Sequence, residues 1–174
     1  MKLRINNIKC RFFLDRPDQI RRTLKNIEGI VGIEKTGNIA TIRCGDCVYI
    51  VFSSGHVNLS GVKSLAKIKE CVDLFLLMFS LYHMRSEVVV TVDNISASTK
   101  LKHPIEWNVE AIKKKLGPKV LVSFNQSCFP GISVKTRRGT LILFRSGSIS
   151  VVGVKNQRGL RRMKKLIRVV RELS

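Results

Sequence analysis

Val48-Tyr-Ile-Val-Phe-Ser-Ser-Gly-His-Val-Asn-Leu-Ser-Gly-Val-Lys63 is answered 92 residues later by Thr140-Leu-Ile-Leu-Phe-Arg-Ser-Gly-Ser-Ile-Ser-Val-Val-Gly-Val-Lys155. Seven of the sixteen positions are identical: Ile50/Ile142, Phe52/Phe144, Ser54/Ser146, Gly55/Gly147, Gly61/Gly153, Val62/Val154 and Lys63/Lys155. A unit this long that occurs only twice is not a solenoid repeat; it marks a duplicated half-domain.

Each copy alternates apolar and polar residues, breaks at Ser-Gly and alternates again. That pattern predicts two strands joined by a tight turn, with Gly55 or Gly147 supplying a positive φ. Tyr49, Val51, Val57 and Leu59 then share one face, as do Leu141, Leu143, Ile149 and Val151. The other face carries Ile50, Phe52, Ser54, His56, Asn58 and Ser60, matched by Ile142, Phe144, Ser146, Ser148, Ser150 and Val152. Phenylalanine among small polar groups suits a partner surface; burial of both faces in a sandwich is the alternative.

The chain of 174 residues has 32 Lys+Arg against 12 Asp+Glu, a net charge of +20. So large an excess repels itself unless a polyanion neutralises it, which points first to nucleic acid and second to an anionic membrane surface. At 44% apolar residues the chain can build a core. The five cysteines are scattered and no secretory leader opens the sequence, so a reducing, intracellular compartment is expected. The longest apolar run, Val72 to Tyr82, contains Asp73 and is too short to span a bilayer.

In order, the spacing predicts a strand over Lys2–Phe13 and a helix from Asp15-Arg-Pro-Asp, with Ile20, Leu24 and Ile27 inside, ended by Gly29 and Gly32. Strands follow at Ile30–Ile33, at Ile39–Arg43 and in the hairpin, then a helix over Ser64–Tyr82 with Leu65, Ile68, Val72, Phe75, Leu76 and Phe79 on one stripe. The second half replays this: a strand over Val88–Leu101, a helix over Asn108–Leu116 closed by Gly117-Pro118, strands at Val120–Phe124, Ile132–Lys135 and the hairpin, and a helix over Asn156–Leu173. Two repeats, residues 1–86 and 87–174, thus form one intertwined α+β domain with helices on one face of an antiparallel sheet.

Phe129-Pro-Gly-Ile132 followed by Leu141-Ile-Leu-Phe-Arg-Ser-Gly-Ser-Ile-Ser-Val-Val-Gly-Val-Lys155 resembles the second repeat of the TATA-box-binding protein family. There a Phe-Pro-Gly turn precedes a Leu-Ile-Phe-x-Ser-Gly-Lys hairpin. Ile5-Asn-Asn-Ile8 and Val92-Asp-Asn-Ile95 are similar to the family's Ile-Gln-Asn-Ile, and Lys102-His-Pro-Ile-Glu-Trp107 is similar to the entry into its second short helix. The resemblance implies a saddle: a curved sheet of about ten antiparallel strands, four helices on its convex side and a DNA minor groove on its concave side. By matched position it implies that Asn7 and Asn94 meet the acceptors A·T and T·A pairs share. It makes Phe129 and Phe144 a wedge that unstacks a base step, with Phe52 one member of the first-repeat pair; such wedges are a known device of this very family. Arg43 and Lys135 fall where an arginine meets phosphate, Lys63 and Lys155 are further phosphate candidates, and Ser54 and Ser146 lie in the turns beside the groove. The implied partners are double-stranded DNA, general transcription factors of the A and B type and the RNA polymerase machinery. The implied form is a monomer on DNA without a cofactor. The implied location is the nucleus, or the cytoplasm for an archaeal or cytoplasmic viral protein.

The chain departs from the family in places. Gly37-Asn38 stands where the first repeat has Phe-Pro, Lys9 and Arg11 replace small apolar and threonine groups, and Ser96 replaces a valine. Ser123-Phe-Asn-Gln-Ser-Cys128 lacks the acids used against the B-type factor. A non-specific DNA or RNA binder acting mainly through protein partners therefore stands as the alternative, and the substrate-binding piece of a repair enzyme or ribonuclease as a third reading. The basic run from Lys155 to Arg171 is either a solvated helix face or a second contact surface. Cys44-Gly-Asp-Cys47 has the spacing of half a zinc site, without a second pair to complete it, or it is the turn equivalent to Thr136-Arg-Arg-Gly139. No nucleophile motif, phosphate loop or catalytic carboxylate pair appears, so no enzyme is expected.

Overall fold

Period-two alternation buries every second side chain of a strand and leaves the rest to the other face. The computed structural model describes residues 2–26, 33–105, 108–125, 127 and 129–172. The first half runs β1 (Arg4–Phe13), α1 (Pro17–Asn26), β2 (Ile33–Thr36), β3 (Ile39–Cys44), β4 (Cys47–Phe52), β5 (His56–Val62) and α2 (Lys67–Met78). The second runs β6 (Thr91–Lys100), α3 (Val109–Leu116), β7 (Leu121–Ser123), β8 (Ile132–Thr136), β9 (Gly139–Leu143), β10 (Ser148–Val154) and α4 (Gln157–Arg171). The ten strands are hydrogen-bonded in the order β2-β3-β4-β5-β1-β6-β10-β9-β8-β7. This is the α+β architecture expected.

By compactness the chain divides into Asn7–Asp93 and a second unit of Asn94–Ser174 with Met1–Asn6, whereas sequence repetition divides it at 86/87. Local bonds explain the difference. The Asn6 amide donates to Ser98 Oγ at 3.0 Å and the Lys2 carbonyl accepts from Thr99 at 3.0 Å, while Arg11 pairs with Asp93 at 3.3 Å in the other unit.

In the unit Asn7–Asp93, Tyr49, Val51, Val57 and Leu59 are fully buried together with Phe75 and Leu76 of α2. Phe75 lies 5.3 Å from Tyr49, 5.4 Å from Phe12 and 4.4 Å from Phe79 between ring centroids. The Tyr49 hydroxyl donates to the Cys71 carbonyl at 2.8 Å, which meets its need for a partner in an apolar setting. Burying each large side chain stabilises by about 2–3 kcal/mol. In the unit completed by Asn94–Ser174, Leu141, Leu143, Ile149 and Val151 are buried and α4 packs on β9 and β10 through Leu160, Met163, Ile167 and Val170. The opposite face of both hairpins, Ile50, Phe52, Asn58 and Ser60 with Ile142, Phe144, Ser148 and Ser150, is only half-buried. A sandwich would have buried it.

Each half carries an irregularity at the same place. Ile8 pairs with Val62 but Cys10 with Leu59, so Lys9 opposes both Ser60 and Gly61. Ile95 pairs with Val154 but Ala97 with Val151, so Ser96 opposes Val152 and Gly153. These are β-bulges, with Gly61 at φ 88° and Gly153 at φ 75° supplying the left-handed backbone.

The predicted helix over Ser64–Tyr82 is shorter at both ends. Ser64 and Leu65 form a turn, and α2 stops before Ser80, whose φ of 55° no α-helix accepts; a single 3-10 turn follows at Tyr82–Met84. Likewise β6 begins at Thr91 rather than Val88. Asn108 and Asn156 cap α3 and α4 through their side-chain oxygens. The expectations for Ile27, Gly29, Gly32, residues 30–32, Trp107, Cys128 and Leu173 lie outside the described residues.

The two bulge glycines differ in their surroundings. A Cβ at Gly61 would run into the Asp46 carbonyl, whereas the nearest atom to one at Gly153 is the Gly139 Cα at 3.8 Å. Gly153→Ala should therefore cost only the conformational strain, about 1–2 kcal/mol. Gly61→Ala should cost clearly more in a urea denaturation series.

Candidate nucleic-acid interface

Asparagine is a poor strand residue, and the bulges explain why two occupy strand interiors. A bulged glycine turns its N–H out of the ladder, and that donor needs an acceptor. Asn7 Oδ1 accepts from Gly61 N–H at 2.7 Å, and Asn94 Oδ1 from Gly153 N–H at 2.7 Å. Tying down the oxygen fixes the rotamer and places the NH2 at the opposite end of each amide. The Asn94 NH2 has no partner among the described residues.

Phe129 and Phe144 come together as expected, with ring centroids 6.0 Å apart at 57°. Phe129 is 42% exposed at the end of the loop from β7 to β8. The first half has no such loop. Gly37, at φ 58°, and Asn38 make the turn between β2 and β3. The register then sets Ile39, 40% exposed, opposite Phe52. An aliphatic side chain thus neighbours Phe52 where the second half has an aromatic one.

The basic candidates divide. Arg43 is exposed but has Glu34 at 3.9 Å, and Lys63 is held by Asp46 at 2.8 Å. That ammonium, by hydrogen bond and by charge, keeps the Asp46 carboxyl below its ordinary value. Lys135 and Lys155 are exposed with no ion-pair partner among the described residues. Ser54 Oγ lies 3.2 Å from His56 Nδ1, and Ser146 Oγ donates to Ser148 Oγ at 3.1 Å. Both hydroxyls serve their own turns.

Sequence reading missed an aromatic pair. Phe13, 47% exposed, packs on the His56 ring at 4.8 Å between centroids. Counting alternate residues from Lys9 and Arg11 puts Phe13 on their face, away from the buried Phe12. Cys44 and Cys47 face each other across the turn from β3 to β4, the place Thr136-Arg-Arg-Gly139 takes in the second half. Cys47 lies 2.9 Å from Cys71 Sγ. Burial and that hydrogen bond push the Cys47 thiol up to about 12, so it stays protonated at neutral pH.

The sequence pattern of the family described as transcription factor TFIID (or TATA-binding protein, TBP) matches residues 89–173. Those residues are a TBP-family sequence. The solved structure of Methanococcus jannaschii TBP extends the likeness to the whole fold, with a TM-score of 0.68 at 16% identity over 99% of each chain. A heterotetrameric sarcosine oxidase from Corynebacterium sp. U-96 aligns with 99% of this chain and 85% of its own at 11% identity. Its TM-score of 0.33 is too low to bear on the fold. Among curated proteins none matches. The ten strands and four helices of the described residues are therefore a TBP fold, with the TBP sequence signature concentrated in the half that keeps Phe129-Pro-Gly131. No described helix is long and apolar enough to cross a membrane.

The amide's two ends can be separated by substitution. Asn94→Ala removes the acceptor of Gly153 N–H and should cost about 1 kcal/mol. Asn94→Asp keeps an acceptor there and should unfold close to the parent midpoint in urea.

Proposed function

We propose that the chain is a DNA-binding transcription initiation factor of the TBP type, which takes A/T-rich promoter DNA by its minor groove and bends it. One observation carries the reading: the half-buried sheet face holds Phe129 against Phe144, an apolar wedge with no core to fill. Wedges of this kind insert between base steps and kink the duplex. Asn94, with its oxygen on Gly153, offers an NH2 donor to the N3 and O2 acceptors of A·T and T·A pairs. The net charge of +20 supplies attraction to phosphate that offsets a bending cost of several kcal/mol. This is binding chemistry and not catalysis. Double-stranded DNA and proteins of the transcription machinery are its partners, and a monomer is the DNA-bound form.

The two halves act unequally in this reading. Phe52 has Ile39 beside it in place of a second ring, so its wedge is thinner. Arg43 and Lys63 must also loosen from Glu34 and Asp46 before meeting phosphate, whereas Lys135 and Lys155 are ready. Backbone charge consequently weighs more, and base readout less, in the first half.

End-labelled A/T-rich duplexes in a FRET bending assay test this. Phe129→Ala with Phe144→Ala should abolish the bend and weaken binding by about tenfold or more, leaving salt-sensitive, unspecific association. Phe52→Ala should change the bend much less. Two equal kinks, or a bend indifferent to Phe129 and Phe144, would refute the proposal. Equal affinity for single-stranded RNA would favour the adaptor reading.

A further inference from the structure

Seven cations that take no part in the sheet face converge on the helix side of the second unit. Arg137 and Arg138 come from the turn between β8 and β9, and Arg158, Arg161, Arg162 and Lys165 from α4; together with Lys119 they line an open groove of about 830 Å³. None of the seven has an ion-pair partner among the described residues. The acids are spent elsewhere, as in Arg11–Asp93, Lys63–Asp46 and Arg85–Asp73. Like charges gathered in a concavity reinforce one another's field and repel, until an anion enters.

We infer that this groove is a docking site for an acidic protein segment, distinct from the DNA surface. Its position decides against a duplex. α4 covers the buried face of β9 and β10, so its exposed basic side looks away from Phe144 and Asn94. This step rests on reading the uncovered sheet face as the DNA surface. Its composition decides against single-stranded nucleic acid, because no aromatic side chain lines the groove and bases would have nothing to stack on. Its geometry suits carboxylates. Arg158, Arg161, Arg162 and Lys165 follow the i, i+3, i+4, i+7 stripe of a helix, about 10 Å long. Guanidinium forks grip carboxylates in pairs, and a row of Asp and Glu at similar spacing answers them. Lys119 and the two turn arginines close the far wall.

A fluorescein-labelled poly-glutamate peptide, read by anisotropy at fixed salt, tests this on the full chain. So basic a protein attracts any polyanion, so the comparison is between two variants of equal charge. Arg161→Glu/Arg162→Glu/Lys165→Glu alters the groove, and Arg22→Glu/Lys25→Glu/Lys69→Glu alters exposed sites on α1 and α2. Circular dichroism first establishes that both fold. The groove variant should lose peptide affinity about tenfold or more and the control less than about threefold, with affinity for an A/T-rich duplex falling equally in both. Equal loss of peptide in both variants would reduce the groove to bulk charge and overturn the proposal. So would a groove variant that keeps the peptide and selectively loses the duplex. If the parent chain binds peptide at the groove and no duplex at all, the DNA reading fails and the docking site stands.

Discussion

At Gly61 the backbone passes through φ 88° and its N–H leaves the ladder; Asn7 Oδ1, 2.7 Å away, takes it up, and Asn94 does the same for Gly153. Much of the structure depends on this small exchange. The bulge shifts register by one residue, and a one-residue slip moves every following side chain to the other face. Beyond it, Leu59 and Val57 stay with Tyr49 in the core while Asn58 and Ser60 stay off it. The carboxamide oxygen maintains the alternation that separates core from open face.

That separation lets one sheet be insoluble on one side and sticky on the other. Phe75 stacks against Phe79 and edges onto Phe12, giving the helix side of the first unit an aromatic centre that fixes α2. The other side has no such centre. In the first unit Phe13 lies on His56, and in the second Phe129 lies on Phe144. Each unit's half-buried face also carries small polar residues, Asn58 and Ser60 in one and Ser148 and Ser150 in the other, which let another molecule come close. The same division sorts the charge, because acids are taken up in ion pairs and the exposed side of α4 carries Arg and Lys with one neutral residue, Gln157.

The fold was legible because duplication doubles every signal. Alternation in one hairpin is ambiguous between a half-buried and a fully buried strand, but Phe52 and Phe144 recurring beside Ser-Gly made a common non-core role the simpler account. Helix ends were less legible. Nothing in Phe79-Ser80-Leu81 announces a left-handed serine, so the extent of α2 was overestimated. The role of Asn7 was half visible: its unsuitability for a strand could be read, but the partner, Gly61, lies 54 residues away. Lys63 and Arg43 looked like equals of Lys155 and Lys135 because their acidic neighbours come from other strands and turns. Local sequence carries no trace of such pairings.

Gly37-Asn38 has a further consequence. Two identical halves would match a palindromic site and could sit on it either way round with the same energy. In the proposed DNA reading, replacing an aromatic loop by a two-residue turn in one half only removes that degeneracy, since just one orientation would set Phe129 and Phe144 over the most easily unstacked step. On that reading, a short hairpin in the first repeat is enough to give the complex a direction, and through it a sense in which whatever is recruited would travel.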